Sequence, residues 1–328
     1  GGQAAGAGVA GGQALTGGGG AGVTDQLLLM RANIGIDKLM GHFDTRVGRQ
    51  YYGESGDLVI FWGPKDSHGL FVTAIDALRF DTETDWMSLT GLAGTTVRGS
   101  AAITAAATHA NTHVKGIEVW WKNLPMRVGT FIWHRNTQGA GGLGAAPSTT
   151  AAATGLNDQL WVYGAKLRGE AGGGWLSLDL AKNGGQDRLS GAGVGCGVKS
   201  CAAPSANYVG TAVLMDLGYN IEAANVGGIT PWFNFGWGTG RSDNSSHSND
   251  GFTPIASDYR PGIMNRRFAG VGVIGAAALG SAIAGSPVAN VATPGLTNRV
   301  VYGLGTNFTP AALDQLTTGL SIWDSRFQ

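Results

Sequence analysis

Short blocks of alternating apolar and polar residues recur along this chain. In LWVYGAKLRGE, Trp161, Tyr163, Ala165 and Leu167 fall on one face, and Val162, Gly164, Lys166, Arg168 and Glu170 on the other. Successive side chains of a strand point to opposite faces, so a period of two predicts a half-buried β-strand. In WLSLDLAKN, Leu176, Leu178 and Leu180 oppose Trp175, Ser177, Asp179 and Ala181. The join, AGGG at 171–174, predicts a tight glycine turn, so the two blocks form a hairpin. Its one face is apolar with aromatic ends, and the other is polar.

The same pattern returns elsewhere. Ile117, Val119 and Trp121 oppose Glu118, Trp120 and Lys122; Val213, Met215, Leu217 and Tyr219 oppose Leu214, Asp216, Gly218 and Asn220. Phe233, Phe235 and Trp237 oppose Trp232, Asn234, Gly236 and Gly238; Val300, Tyr302, Leu304 and Phe308 oppose Arg299, Gly303, Gly305 and Asn307. Similar blocks lie near 27–37, 43–51, 57–63, 69–79, 127–136 and 315–327. A series of such strands with aromatics on the apolar face is the pattern of an all-β transmembrane antiparallel barrel. A soluble sandwich core would favour bulky aliphatics on that face instead. The expected fold is a closed barrel of roughly 14–18 strands, because a spanning strand takes roughly 9–11 residues. At that size a barrel encloses an aqueous lumen. Trp161, Tyr163, Phe233, Phe235, Trp237 and Tyr302 are the expected lipid-facing aromatics.

Between the blocks lie small-residue stretches expected to be long loops on the cell exterior: 95–113, 137–157, 183–207, 239–262 and 276–298. Residues 1–24 are Gly/Ala-rich and uncharged, a short plug-like strand or a tail, and 25–328 are read as the barrel. The opening GGQAAGAGVAGG has no charged stretch before an apolar core, so no signal peptide is expected there; a processed or truncated chain explains it. The uncharged run 269–289 has the length of a membrane helix, but its glycines, Ser281, Ser286 and Pro287 favour a strand with a small-residue loop.

Composition narrows the class. The chain has 328 residues, among them 57 Gly, ten Trp and seven Tyr. Charged residues are 13% and balance to zero, which argues against a nucleic-acid binder and suits a soluble enzyme surface poorly. The 43% apolar share excludes a disordered chain. Glycine costs about 1 kcal/mol per residue in a helix interior, whereas bent sheets use it at kinks and turns.

Three patches carry a family resemblance. The first is FDTRVGRQYYGESGDLVIFWGP at 43–64, through Val47, Gly48, Arg49, Gln50, Tyr52, Gly53 and Leu58. The second runs from Tyr219 to the turn Gly240, Arg241, Ser242 and Asp243, and on to Phe252 and Pro254. The third is the closing stretch from Gly295 to Phe327. In this order they resemble the alginate-export family of outer-membrane barrels. The extra Arg in the turn and the shorter chain depart from that family's 18-stranded members. The resemblance implies a porin-like path for an anionic polysaccharide or organic acid.

The expected lumen residues are Arg46, Arg49, Gln50, Glu118, Lys122, Lys166, Arg168, Asp179, Asp216 and Arg299, with Arg31, Arg127 and Arg135 joining them according to register. A one-residue slip reverses every facing. Their cationic excess favours anions through a pore; the competing view is that these charges only brace the wall. The expected function is therefore an outer-membrane channel in a Gram-negative envelope for small or anionic solutes. The alternative is a scaffold barrel with a blocked lumen, binding envelope partner proteins or further copies of itself.

Other motifs carry less. Two G-x-G-x-x-G matches, at Gly6–Gly11 and Gly270–Gly275, lack the strand, helix and acid of a dinucleotide site. His109 and His113 have helical zinc spacing but no third ligand nearby. Asp81, Glu83 and Asp85 meet Trp86 where a calcium loop needs Gly; Asp243, Asn244, Asn249 and Asp250 are better placed for loop calcium. No catalytic set, metal site or cofactor is expected. Cys196 and Cys201 in GCGVKSC can close a small disulfide ring in an oxidising compartment, or stand as free thiols or a metal pair.

Overall fold

The computed structural model describes residues 31–64, 74–97, 112–137, 158–187, 206–223, 226–240, 248–259, 296–312 and 315–327. The expectations for 1–24, 269–289, the two cysteines, His109, Arg241 to Asn244 and both glycine motifs lie outside the described residues.

The strands in chain order are β1 (Ala32–Leu39), β2 (Phe43–Gln50), β3 (Ile75–Glu83), β4 (Met87–Val97), β5 (Thr112–Trp121), β6 (Arg127–Thr137), β7 (Asp158–Ala171) and β8 (Gly174–Asp187). They continue with β9 (Ala206–Tyr208), β10 (Thr211–Tyr219), β11 (Ile221–Ala223), β12 (Gly227–Gly238), β13 (Ser248–Asn249), β14 (Arg299–Pro310) and β15 (Thr318–Phe327). All fifteen belong to one sheet, and the described residues contain no helix. The main path is an antiparallel meander, β1-β2-β3-β4-β5-β6-β7-β8-β10-β12-β14-β15. Short β9, β11 and β13 attach at its margins, and only the β13–β9 pair is parallel. Among the described residues the sheet is not closed: β1 pairs with β2 alone and β15 with β14 alone.

Alternation explains the strands. Leu167, Leu178, Met215, Phe235 and Tyr302 are cross-strand partners in turn, so one apolar row crosses five strands. The β7–β8 turn is Gly172-Gly173, both at positive φ (58° and 89°), as a two-residue type I′ hairpin requires. β7 and β8 have 14 residues each, more than the roughly 9–11 of a spanning strand.

The face opposite that apolar row, here the inner face, is covered by two segments of the chain itself, 51–64 and 251–259. Leu58, Val59, Ile60 and Phe252 are at most 1% exposed. The expected strand near 57–63 is therefore no wall strand. It doubles back on itself, Tyr52 N–H and Trp62 N–H each donating to the other's carbonyl at 2.9 and 2.7 Å. It then runs beside Ala256, whose carbonyl accepts from Phe61 N–H at 2.8 Å. Gly53 and Gly56 at positive φ turn the chain inward, and Asp57 Oδ1 accepts the amides of Val59 and Ile60 at 2.6 and 3.0 Å. Loop expectations change likewise, and β4 to Val97 and β5 from Thr112 also enter the expected loop 95–113. Residues 251–259 of the expected exterior loop lie inside, and β8 extends to Asp187 within the stretch expected as loop 183–207.

At five rungs of the inner face a tryptophan stands directly across from a glycine: Trp133/Gly116, Trp120/Gly129, Trp175/Gly218, Trp232/Gly305 and Trp323/Gly303. A Cβ on any of these glycines would run into the ring. The indole lies over bare backbone, an arrangement that compensates the weak packing of a strand glycine. Gly116→Val is expected to destabilise the fold by about 1–3 kcal/mol, because Trp133 must leave its place. Gly91→Val, where a Cβ meets open space, is expected to change stability by less than about 0.5 kcal/mol. Chemical unfolding of both variants checks the contrast.

Candidate functional site

Strand alternation sends one set of polar side chains to the inner face, where the inserted segments meet them. Lys166 on β7 is 5% exposed and donates to Asp57 Oδ2 at 2.7 Å and Glu118 Oε1 at 3.1 Å. Glu118 on β5 also accepts from Tyr52 Oη at 2.8 Å and Trp120 Nε1 at 3.0 Å. Burial, then the Glu118 charge, pushes the Tyr52 hydroxyl well above its ordinary range, so it remains a donor. Arg168 reaches Asp179 on β8 at 2.5 Å. Further round, Tyr259 Oη donates to Asn234 Oδ1 at 2.7 Å, and Asn234 donates to Asp216. Burial and the Asp216 charge raise the Tyr259 hydroxyl above its ordinary range too. Ser55 Oγ and Gly56 N–H both donate to Asp258 at 3.1 Å, tying the two inserted segments together.

Beside this network lies a cavity of about 630 Å³. Glu54 to Asp57, Arg168, Asp179, Asp216, Asn234 and Tyr259 line it, with Trp175, Trp232 and Trp323 and part of β15. Its charged lining is four carboxylates against one guanidinium.

Of the expected lumen residues, Glu118, Lys166, Arg168, Asp179 and Asp216 are brought together here. Gln50 is buried and donates to the Ala77 carbonyl at 2.9 Å, a tie within the wall. Arg299 is buried at the start of β14. Arg46 is exposed and stands opposite Arg79. Arg49 departs from the expectation. It pairs with Asp76 at 2.8 Å, two rungs from the Val47–Leu78 pair, so alternation puts it opposite Gln50, on the outer face. Lys122 follows the end of β5 and pairs with Glu83 beside the β3–β4 turn, away from the cavity. Arg127 lies 5.0 Å over the Trp120 ring, and Arg135 reaches the Pro254 carbonyl at 3.4 Å.

The outer face is different in kind. Trp161 and Tyr163 are 37% and 41% exposed there, and Phe233, Phe235, Trp237 and Tyr302 share that face by register. Phe235 and Tyr302 pack ring to ring, with centroids 5.5 Å apart.

Sequence reasoning missed Tyr52, Glu54, Asp57, Asp258 and Tyr259: a strand reading of 57–63 and a loop reading of 239–262 took Asp57, Asp258 and Tyr259 out of the interior, and Tyr52 and Glu54 fell in the gap between the blocks 43–51 and 57–63. The GESGD stretch, two glycines framing Glu54 and ending in Asp57, was the available signal for an inward turn. Asp81 and Glu83 prove to be ion-pair partners of Arg79 and Lys122. No group of three His, Cys, Asp or Glu side chains with metal-ligand geometry occurs among the described residues.

Comparison with protein-family models finds no match to this chain, and comparison with curated proteins finds none either.

Lys166→Met is expected to cost about 3–5 kcal/mol, because it leaves two carboxylates buried without their cation. Adding Asp57→Asn and Glu118→Gln is expected to return more than half of that loss. Urea unfolding midpoints of the two variants against the parent give the comparison.

Proposed function

We propose that this chain is an outer-membrane β-barrel channel whose lumen is narrowed by its own inward segments and which passes small solutes passively. The observation that carries the reading is the division of the wall into two faces. The outer face carries a broad apolar and aromatic surface, with Ile117, Ile132, Tyr163 and Leu304 each more than 40% exposed and charged residues such as Arg49, Asp76 and Arg326 toward the strand ends, while the inner face holds the buried Lys166 network and the cavity. Lipid suits such an outer face and water suits such an inner one. The resemblance of 43–64 and 219–254 to alginate-export barrels supports the same class, with membrane lipid as the surrounding partner.

Lipid also requires that sheet edges be paired, since it offers backbone N–H and C=O groups no partner. The two edges are β1 and β15, where Ile34, Leu320 and Ile322 are each 72% exposed. A meander of twelve strands returns its last strand antiparallel to its first. The cavity is lined both by Glu54, just past β2, and by Gly319 to Ser321 and Trp323 of β15. We take β1 and β15 to pair in the membrane. Ile34→Cys with Ile322→Cys or Leu320→Cys, all outer-face positions, is expected to form an intramolecular disulfide in one register. Gel mobility with and without reductant reads it, and a disulfide-linked dimer instead would mean that the edges serve a second copy.

The filled interior favours a second reading, a scaffold barrel that conducts nothing and binds envelope partners. Planar-bilayer recording separates the two. Stable steps of small conductance are expected from the purified chain, and silence from a protein with heat-modifiable gel mobility would give the scaffold reading.

A further inference from the structure

We propose that the cavity is a binding chamber for small organic cations, an ammonium or guanidinium group carried on an apolar body. The inference rests on the channel reading for the solute's route of entry. The wall itself shows how this interior holds a cation. The Arg168 guanidinium lies 5.8 Å from the Trp120 ring centre and 2.5 Å from the Asp179 carboxylate. The Lys166 ammonium lies 5.5 Å from the Phe131 ring centre, between Asp57 and Glu118. Both of these interior cations are thus given a ring face and a carboxylate together.

The cavity offers the same two kinds of group again. Trp175, Trp232 and Trp323 line it, and so do the exposed Glu54 and, bonded to Asn234, Asp216. Trp232 and Trp323 stand 5.3 Å apart with planes inclined at 44°, making a corner of two indoles. Among the described residues no Lys or Arg lies over any of these three rings. A volume of about 630 Å³ is ample for a small organic solute. An indole face attracts an organic cation through its quadrupole, most strongly where water is excluded. An anion would meet the Glu54 and Asp216 carboxylates as well as Asp57 and Asp179, which are already paired with Lys166 and Arg168, and the one guanidinium of the lining is itself held by Asp179. The chamber therefore runs against the anionic solutes that the cationic residues of the sequence suggest.

The test is calorimetric titration of the detergent-solubilised full chain with tetramethylammonium chloride at fixed ionic strength, with sodium acetate as the anionic probe. Saturable binding of tetramethylammonium and none of acetate is expected. Affinity should fall roughly threefold to thirtyfold in Trp232→Leu, and several-fold in Glu54→Gln. Glu54 is exposed to the cavity, so the second variant folds even if the first does not. Acetate binding as tight as the cation's, absence of tetramethylammonium binding, or unchanged affinity in Glu54→Gln and in a folded Trp232→Leu overturns the proposal. Saturable cation binding by a protein silent in bilayers would remove the channel reading and keep the chamber. Conductance without cation binding would do the reverse.

Discussion

One buried ammonium organises the interior of this sheet. Removing an ion from water costs several kcal/mol even after relaxation, so a buried cation persists only where its partners are themselves satisfied. Lys166 meets that condition through Asp57 and Glu118. Asp57 uses its other oxygen on the Val59 and Ile60 amides, and Glu118 is steadied by Tyr52 and Trp120. The contacts join β5, β7 and both limbs of the first inserted segment. That segment cannot leave the inner face without stranding charges on both sides. Through Asp258 it holds the second segment, which is fixed in turn to Asn183 on β8 by paired bonds of 2.7 and 2.9 Å. Position inside the sheet is thus specified by charge, and the packing of Leu58, Ile60 and Phe252 follows from it.

The high glycine content has a structural use in the same interior. A wall that curves around inserted chain has little room on its inner side. Placing glycine opposite tryptophan lets an indole lie flat on the neighbouring strand instead of standing up from the inner face. Five such rungs account for inner-face glycines that would otherwise weaken their strands. Three of these indoles, Trp175, Trp232 and Trp323, also line the cavity.

The wall was largely legible in the sequence. Alternation put Trp161 and Tyr163 on the opposite face from Lys166 and Arg168, and Phe235 opposite Asn234, as the register has them. It succeeded because period two is a local property, fixed wherever the two faces differ in polarity. The interior was not legible, for two reasons. LVIFW at 58–62 is apolar on consecutive positions, which reads as a buried strand whether it lies in a sheet or packs on one. And the partners of Lys166 lie 109 and 48 residues away in sequence, a separation at which no spacing rule operates. Arg49 shows the cost at single-residue scale. It sits one position from Gln50, and that alone moves it to the other face beside Asp76.

The two faces also decide what must surround the sheet. In a soluble sandwich the apolar face is covered by a second sheet, and the polar face meets water. Here the chain's own inward segments are spent on the face that carries the charges. Among the described residues no element lies over the apolar face at Ile117, Ile132, Tyr163 or Leu304, each more than 40% exposed. An apolar area of this extent is unstable against water and invites association. Its cover therefore has to come from outside the sheet. Among the described residues every strand of the main path except β1 and β15 has a neighbour on both sides, so a cover that supplies no hydrogen bonds is acceptable along the wall and unacceptable at those two edges. Lipid is such a cover, and closure of the edges on each other is the least change that makes the whole surface compatible with it.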